Sequence, residues 1–195
     1  MFKELKFIHI TKTAGTSIED LSHKNGIYWG RFHKEYGDIW HKPFIEIENG
    51  VKQKYDWFTI VRNPYDRIIS EFYCRWIPPY SNQNQYSKTE FNLITRQNIL
   101  NHKNDNQIYD FHYTPQHKYI DNNYNITILK YEDLPNNFNT FIKEYNLNFV
   151  LDKDKKNQNI NRKFNLHDFD LETLKLINVV YNEDFGLFNY SKIEV

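Results

Sequence analysis

The chain has 195 residues, a length that fits one domain with a sizeable core. Lys+Arg and Asp+Glu balance at 25 each, which argues against a general nucleic-acid binder and a polybasic membrane anchor, so any anion recognition must be local. Aromatic residues make up 17%, far more than a disordered chain carries.

Phe7 to Ile10 is a short apolar run that predicts a buried strand. Gly15 allows a tight turn. Thr16 and Glu19 have the T-x-x-E spacing of a capping box, which predicts a helix from there to about Asn25. Gly26 to Gly50 reads as an irregular segment, containing His33 and His41, with Pro43 as a helix breaker. Trp57 to Val61 predicts a second strand. Asn63 suits an N-cap and Pro64 a first helical position, so a helix follows to about Tyr73 with Ile68, Ile69 and Phe72 inward.

Pro78 to Tyr86 reads as a polar loop. Ser87 with Glu90 forms another capping box, opening a helix to about Asn101. Pro115 and Gln116 open a short helix to Ile120. Ile126 to Lys130 predicts a third strand, and Asn137 to Tyr145 a helix burying Phe138, Phe141 and Ile142. Asp152 to Lys163 is charged and Asn-rich, hence a loop. Leu171, Leu174, Ile177 and Val180 have helical spacing, and Phe185 to Tyr190 forms a compact aromatic tail. The expected fold is α/β: a single domain over 1–195 with a P-loop-like, mostly parallel sheet flanked by helices.

The single cysteine, Cys74, excludes an intrachain disulfide and points to a reducing compartment. Lys3, Glu4 and Lys6 interrupt any signal-peptide core, and no apolar run reaches the length of a membrane span, so the expected location is cytoplasmic.

Two stretches carry chemistry. A strand, a small-residue loop and a capped helix aim backbone N–H groups and a helix dipole at an anion. Lys12 adds a positive charge to the first such loop, and Thr13, Thr16 and Ser17 add hydroxyls, so this stretch is a candidate phosphate or sulfate cradle. It is not a Walker A loop, because Lys12 precedes the only Gly. An ordinary βα turn with a surface Lys is the alternative. The second stretch, Phe58 to Ser70, repeats the logic. Arg62 falls at the ligand edge of a parallel sheet, where a guanidinium can grip a phosphate bidentately. Ser70 lies about two helical turns on, within reach of the same group if the helix passes beside it. A structural ion pair for Arg62 and a helix contact for Ser70 are the alternatives. Arg67 reads as a brace for a carboxylate.

His9-Ile10-Thr11-Lys12-Thr13-Ala14-Gly15-Thr16-Ser17, followed by Val61-Arg62-Asn63-Pro64-Tyr65-Asp66-Arg67-Ile68-Ile69-Ser70, resembles the PAPS-dependent sulfotransferases, in particular the carbohydrate O-sulfotransferase branch. Its motifs read H-I-P-K-T-A-G-T-S and V-R-N-P-Y-D-R-L-V-S; here Thr11 replaces the Pro. His112 to Gln116 resembles the H-x-x-P-Q segment, Tyr131 to Leu134 the Y-E-D-L segment, and Tyr181 to Phe188 the closing Y-x-x-D-F-x-L-F. Asn159 to Arg162 resembles N-x-S-x-R without its Ser. The resemblance implies that Lys12, Thr13, Gly15, Thr16 and Ser17 bind the 5′-phosphosulfate of PAPS, that Arg62 and Ser70 hold its 3′-phosphate, and that Arg162 closes over the nucleotide.

The implied reaction moves a sulfuryl group in line from PAPS to an acceptor hydroxyl, with Lys12 and the helix N-terminus stabilising charge on the leaving phosphate. His is the usual base near neutral pH. His41 is the first candidate, because family members place a catalytic His shortly before the second strand; His33 and Glu46 follow. His9 reads as structural or loop-bracing. No metal is expected, and no ligand cluster stands out. Trp29, Trp40, Trp76 and Tyr80 are candidates for a sugar platform or for core. A P-loop-like nucleotide kinase and a non-catalytic anion- or glycan-binding module are the competing readings.

Overall fold

The computed structural model describes residues 3–34, 41–105, 110–152 and 161–195. Trp40, Asn159 and Ile160 lie outside them. The chain divides into two compact units, Met1–Arg62 with Lys118–Asn157 and Asn63–His117 with Gln158–Val195. Each unit takes two separate segments, so no single linker marks a boundary in the sequence.

Among the described residues the first unit is built on a three-stranded, all-parallel sheet in the order β1-β2-β3: β1 Leu5–Ile8, β2 Asp56–Val61 and β3 Ile126–Lys130. Phe7 faces Phe58, and Phe58 faces Thr127 across the register. Helix α1, Gly15–Lys24, and helix α5, Asn136–Glu144, supply Ile18, Phe138, Phe141 and Ile142 to a core with Leu5, Phe7, Trp29, Phe58 and Ile60. Complete burial of a side chain such as Phe58 contributes about 1.5–3 kcal/mol. Trp29 completes the packing by donating its Nε1–H to Leu5 O at 2.7 Å. The short helix α2, Asn49–Lys54, precedes β2.

The second unit is helical: α3 Pro64–Phe72, α4 Lys88–Asn104, α6 Leu171–Val180 and α7 Asn182–Leu187. Phe72, Phe91, Phe164 and Phe169 fill its core, with the Phe91 and Phe164 rings stacked at 4.5 Å. Asn63 caps α3 by accepting the Tyr65 N–H at 3.0 Å, and the Ser87–Glu90 box caps α4, both as the sequence predicts.

Four expectations change. The first strand is β1, Leu5–Ile8, two residues earlier than the apolar run suggests, because pairing with β2 stops at Ile8↔Thr59. The tail forms α7, held where the buried Asp184 accepts the N–H groups of Gln116 and His117 at 2.8 Å each. The Thr16–Glu19 capping box does not form: the N-cap of α1 is Ala14, in a left-handed conformation at φ 77°, with no side-chain cap. Gly15 does not supply the turn either, since the positive φ angles belong to Lys12 and Ala14. A Cβ at Gly15 would collide with the His9 ring, so Gly is required there by close approach.

Candidate functional site

In the first unit, Lys12, Thr13, Gly15, Thr16 and Ser17 form the turn from β1 into α1. The first hydrogen bonds of the helix run from the Ser17 and Ile18 N–H groups to Ala14 O, at 2.9 and 3.2 Å. The amides of Gly15 and Thr16 precede them, at the end of the helix where backbone N–H groups lack intrahelical acceptors and the dipole is positive. Thr16 is exposed, and Lys12 and Ser17 are half-buried. Thr13 differs from the expectation of a ligand-facing hydroxyl: it is buried, and its Oγ1 donates to Ile10 O at 2.8 Å. That bond tightens the loop and leaves Thr13 only its backbone to offer.

Arg62 follows β2 directly and comes to the same loop. Its Nη1 donates to Lys12 O at 3.3 Å, and its guanidinium lies 4.2 Å from the centre of the Tyr131 ring. Parallel pairing forces this meeting: Ile8 and Thr59 are in register, so the residues after β1 and after β2 leave the same edge of the sheet.

His41 also stands here. It is buried, its backbone carbonyl accepts from the Tyr119 hydroxyl at 2.7 Å, and its ring meets the His9 ring edge to face at 4.7 Å. His9 lies against Gly15 and is bonded through Nδ1 to Glu19 Oε1 at 2.8 Å. His33 packs instead against Tyr55 and Trp57, at the opposite, entering end of β2, at ring distances of 5.2 and 6.4 Å. Glu46 is exposed in a 3-10 turn, Phe44–Glu46.

In the second unit, Ser70 is buried on α3, and Arg162 donates from Nη2 to Ser70 Oγ at 3.2 Å while its guanidinium stands 5.3 Å from the Tyr73 ring centre. The Tyr73 hydroxyl in turn accepts the Phe164 N–H at 2.9 Å, fixing the chain just after Arg162. The structure thus brings Arg162 and Ser70 together, although the family's loop Ser is missing from this sequence. Trp76 and Tyr80 are exposed, whereas Trp29 is core.

Arg67 is the brace expected of it: Nη1 donates to Thr114 O at 2.9 Å and Nη2 lies 3.6 Å from Glu71 Oε1. Glu71 Oε2 also takes a 2.6 Å hydrogen bond with His112 Nδ1. Glu71, Cys74 and His112 hold potential ligand atoms within 4.8 Å of one another, a buried group that sequence spacing does not reveal. Its carboxylate is already engaged by the Arg67 guanidinium and the His112 imidazole, which accounts for the burial of the charge as an ion-paired brace. Nearby charge still shapes the surroundings. Burial, reinforced by Arg67, pushes His102 down to about 4, and burial raises the Tyr113 hydroxyl, with the Glu71 charge adding to it.

The residues that sequence reading missed are partners across long separations. Glu19 carries a helix-cap signature and uses it for nothing local; Tyr131, in the Y-E-D-L segment, and Tyr73, just after α3, have no evident role in the sequence, yet each stands beside a candidate arginine. Two glycines, Gly15 and Gly30, are the signal that could have found the His9–Glu19 pair, since each leaves room for one member of it.

A family model described as the sulfotransferase family matches residues 3–191. No curated protein and no solved structure matches the chain.

Proposed function

The chain belongs to the sulfotransferase family, a family of transferases that move a sulfuryl group to an acceptor hydroxyl, and from that premise we propose that it uses PAPS as donor, a carbohydrate hydroxyl as acceptor, and His41 as the base. The acceptor oxygen attacks sulfur in line. The new O–S bond forms as the bond from sulfur to the 5′-phosphate oxygen breaks, and that electron pair stays on the phosphate. The acceptor proton passes to His41, leaving a sulfate ester and adenosine 3′,5′-bisphosphate.

Lys12 and the amides at the start of α1 offset the charge growing on the leaving phosphate. Thr16 and Ser17 add hydroxyl donors, Gly15 and Thr13 backbone ones, and Arg62 takes the 3′-phosphate. In the second unit the Ser70–Arg162 pair is assigned, on the motif alone, to a phosphate of the donor. One family model running over residues from both units supports reading 1–195 as one sulfotransferase domain.

The observation that carries the reading is the meeting, inside the first unit, of Arg62 with the Lys12 loop and of the His41 ring with the His9 ring seated on Gly15. A base and two cations at one helix N-terminus suit group transfer with an anionic leaving group better than binding alone. His33, at the other end of β2, is the weaker candidate for base. The test is His41→Ala. It is expected to keep its affinity for adenosine 3′,5′-bisphosphate and to lose bisphosphate release from PAPS by about 10²-fold or more. Unchanged turnover would remove His41 from the reaction; undiminished binding without turnover in the wild type would favour a binding module.

A further inference from the structure

We propose that Glu19 is a positioning residue for the transfer step, acting through His9 on His41; the proposal rests on the reading of His41 as the base. Glu19 is fully buried on α1. An isolated carboxylate buried there would be strongly destabilising, and its T-x-x-E spacing offers it a cheaper place as an exposed cap. Instead it turns inward. Oε1 meets His9 Nδ1 at 2.8 Å and accepts the Arg31 N–H at 3.1 Å, and Oε2 lies 3.7 Å from Arg31 Nε.

The backbone is shaped around the pair. A Cβ at Gly30 would run into the Glu19 carboxylate, and Gly30 holds φ +54°, where only Gly sits without strain. A Cβ at Gly15 would run into Cδ2 and Nε2 of His9. Two glycines from different elements therefore open space for one imidazole–carboxylate pair, and the second of them starts the helix that heads the donor loop.

The chemistry follows from the acceptors. Glu19 Oε1 accepts the Arg31 N–H beside a guanidinium, as an ionised carboxylate does, so His9 Nδ1 is the donor in their bond, and Nε2 lies toward Gly15 at the start of α1. The dipole at that terminus favours an electron-rich nitrogen over an N–H. With its tautomer and plane set, His9 is a fixed wall for the His41 ring at 4.7 Å, while the Tyr119 hydroxyl holds the His41 backbone. Glu19 thus acts on a base it does not touch: it sets the His9 ring by a hydrogen bond, and that ring limits the orientations open to His41.

The test uses the full chain labelled with ¹⁵N at histidine and saturated with adenosine 3′,5′-bisphosphate. In the wild type the His9 Nδ1 is expected to carry a proton; a bare Nδ1 overturns the proposal without any mutation. In Glu19→Ala, release of bisphosphate from PAPS is expected to fall by about tenfold or more, with KM for PAPS changed less than about threefold. The same substitution in a His41→Ala background is expected to cost nothing further, because its route to the reaction is gone. Equal losses in both backgrounds would make Glu19 merely structural and sink the proposal. If Glu19→Ala fails to fold, Glu19→Gln is read in the same cycle. Wild type that neither binds the bisphosphate nor turns over PAPS would overturn the donor reading, and this proposal with it, even with the expected tautomer.

Discussion

Thr16-x-x-Glu19 and Ser87-x-x-Glu90 carry the same spacing at the starts of α1 and α4. In α4 the box closes: the Ser87 N–H donates to Glu90 Oε2 at 2.7 Å, and the Glu90 N–H to Ser87 Oγ at 3.2 Å. In α1 it stays open, and Glu19 reaches His9 instead. The difference is in what else each carboxylate can reach. Ser87 and Glu90 are exposed, and each other is the best partner in view. Glu19 lies beside a buried imidazole and an arginine, and those long-range partners outweigh a cap contributing about 1 kcal/mol. A local helix signal decides only where tertiary structure makes no better offer.

That contrast can be broken most forcefully at Gly30. Gly30→Ala puts a Cβ against Glu19 at a positive φ and is expected to cost about 2–4 kcal/mol in urea unfolding at unchanged m-value. Wild-type stability would mean that Glu19 is not seated there. Gly15→Ala is expected to cost about 1–3 kcal/mol, opposite in sign to the usual gain from Ala in a helix. Adding His9→Ala should recover most of the collision; strictly additive effects would contradict the contact.

Smaller effects sharpen the same comparison. Ser87→Ala should lose about 1 kcal/mol, whereas Thr16→Ala should stay within about 0.5 kcal/mol, since no cap bond exists to remove. The reverse ranking in chemical denaturation would invert the account of the two boxes. The smallest effect is a pH dependence. Hydrogen bonds from the Ser87 backbone and hydroxyl hold Glu90 below the ordinary carboxylate range. A lowered carboxylate stabilises the fold above the unfolded-state range and loses that contribution as pH falls through its folded value. Amide protection in the first turn of α4 should therefore weaken on acidification, and Ser87→Ala should flatten that response.

Much of this fold is legible where one local rule suffices. Ile126 to Lys130 is β3 to the residue, and Asn63-Pro64 opens α3 as cap and first turn. α2 is not legible: Asn49 to Lys54 has no apolar period, and its buried Lys52 is held by Ile45 O and Asp121, far along the chain. Of the candidate site, the Lys12 loop and Arg62 can be read from strand ends, because parallel register brings those ends to one edge. His9 is legible as a structural or loop-bracing residue, but its partner is not, since Glu19 carries the signal of a helix cap. No helix among the described residues is long and apolar enough to cross a membrane, in keeping with the absence of a long apolar run in the sequence.

Thermal unfolding with adenosine 3′,5′-bisphosphate, 5′-AMP and Mg-ATP is the most direct test of the proposed donor site for PAPS. At about 100 times its dissociation constant a ligand stabilises by about 2.7 kcal/mol, a rise in Tm of roughly 5–10 °C for a chain of this size. That rise is expected with the bisphosphate alone, and is expected to be lost in Arg62→Ala. A rise with Mg-ATP instead, or none with any of the three, would contradict it.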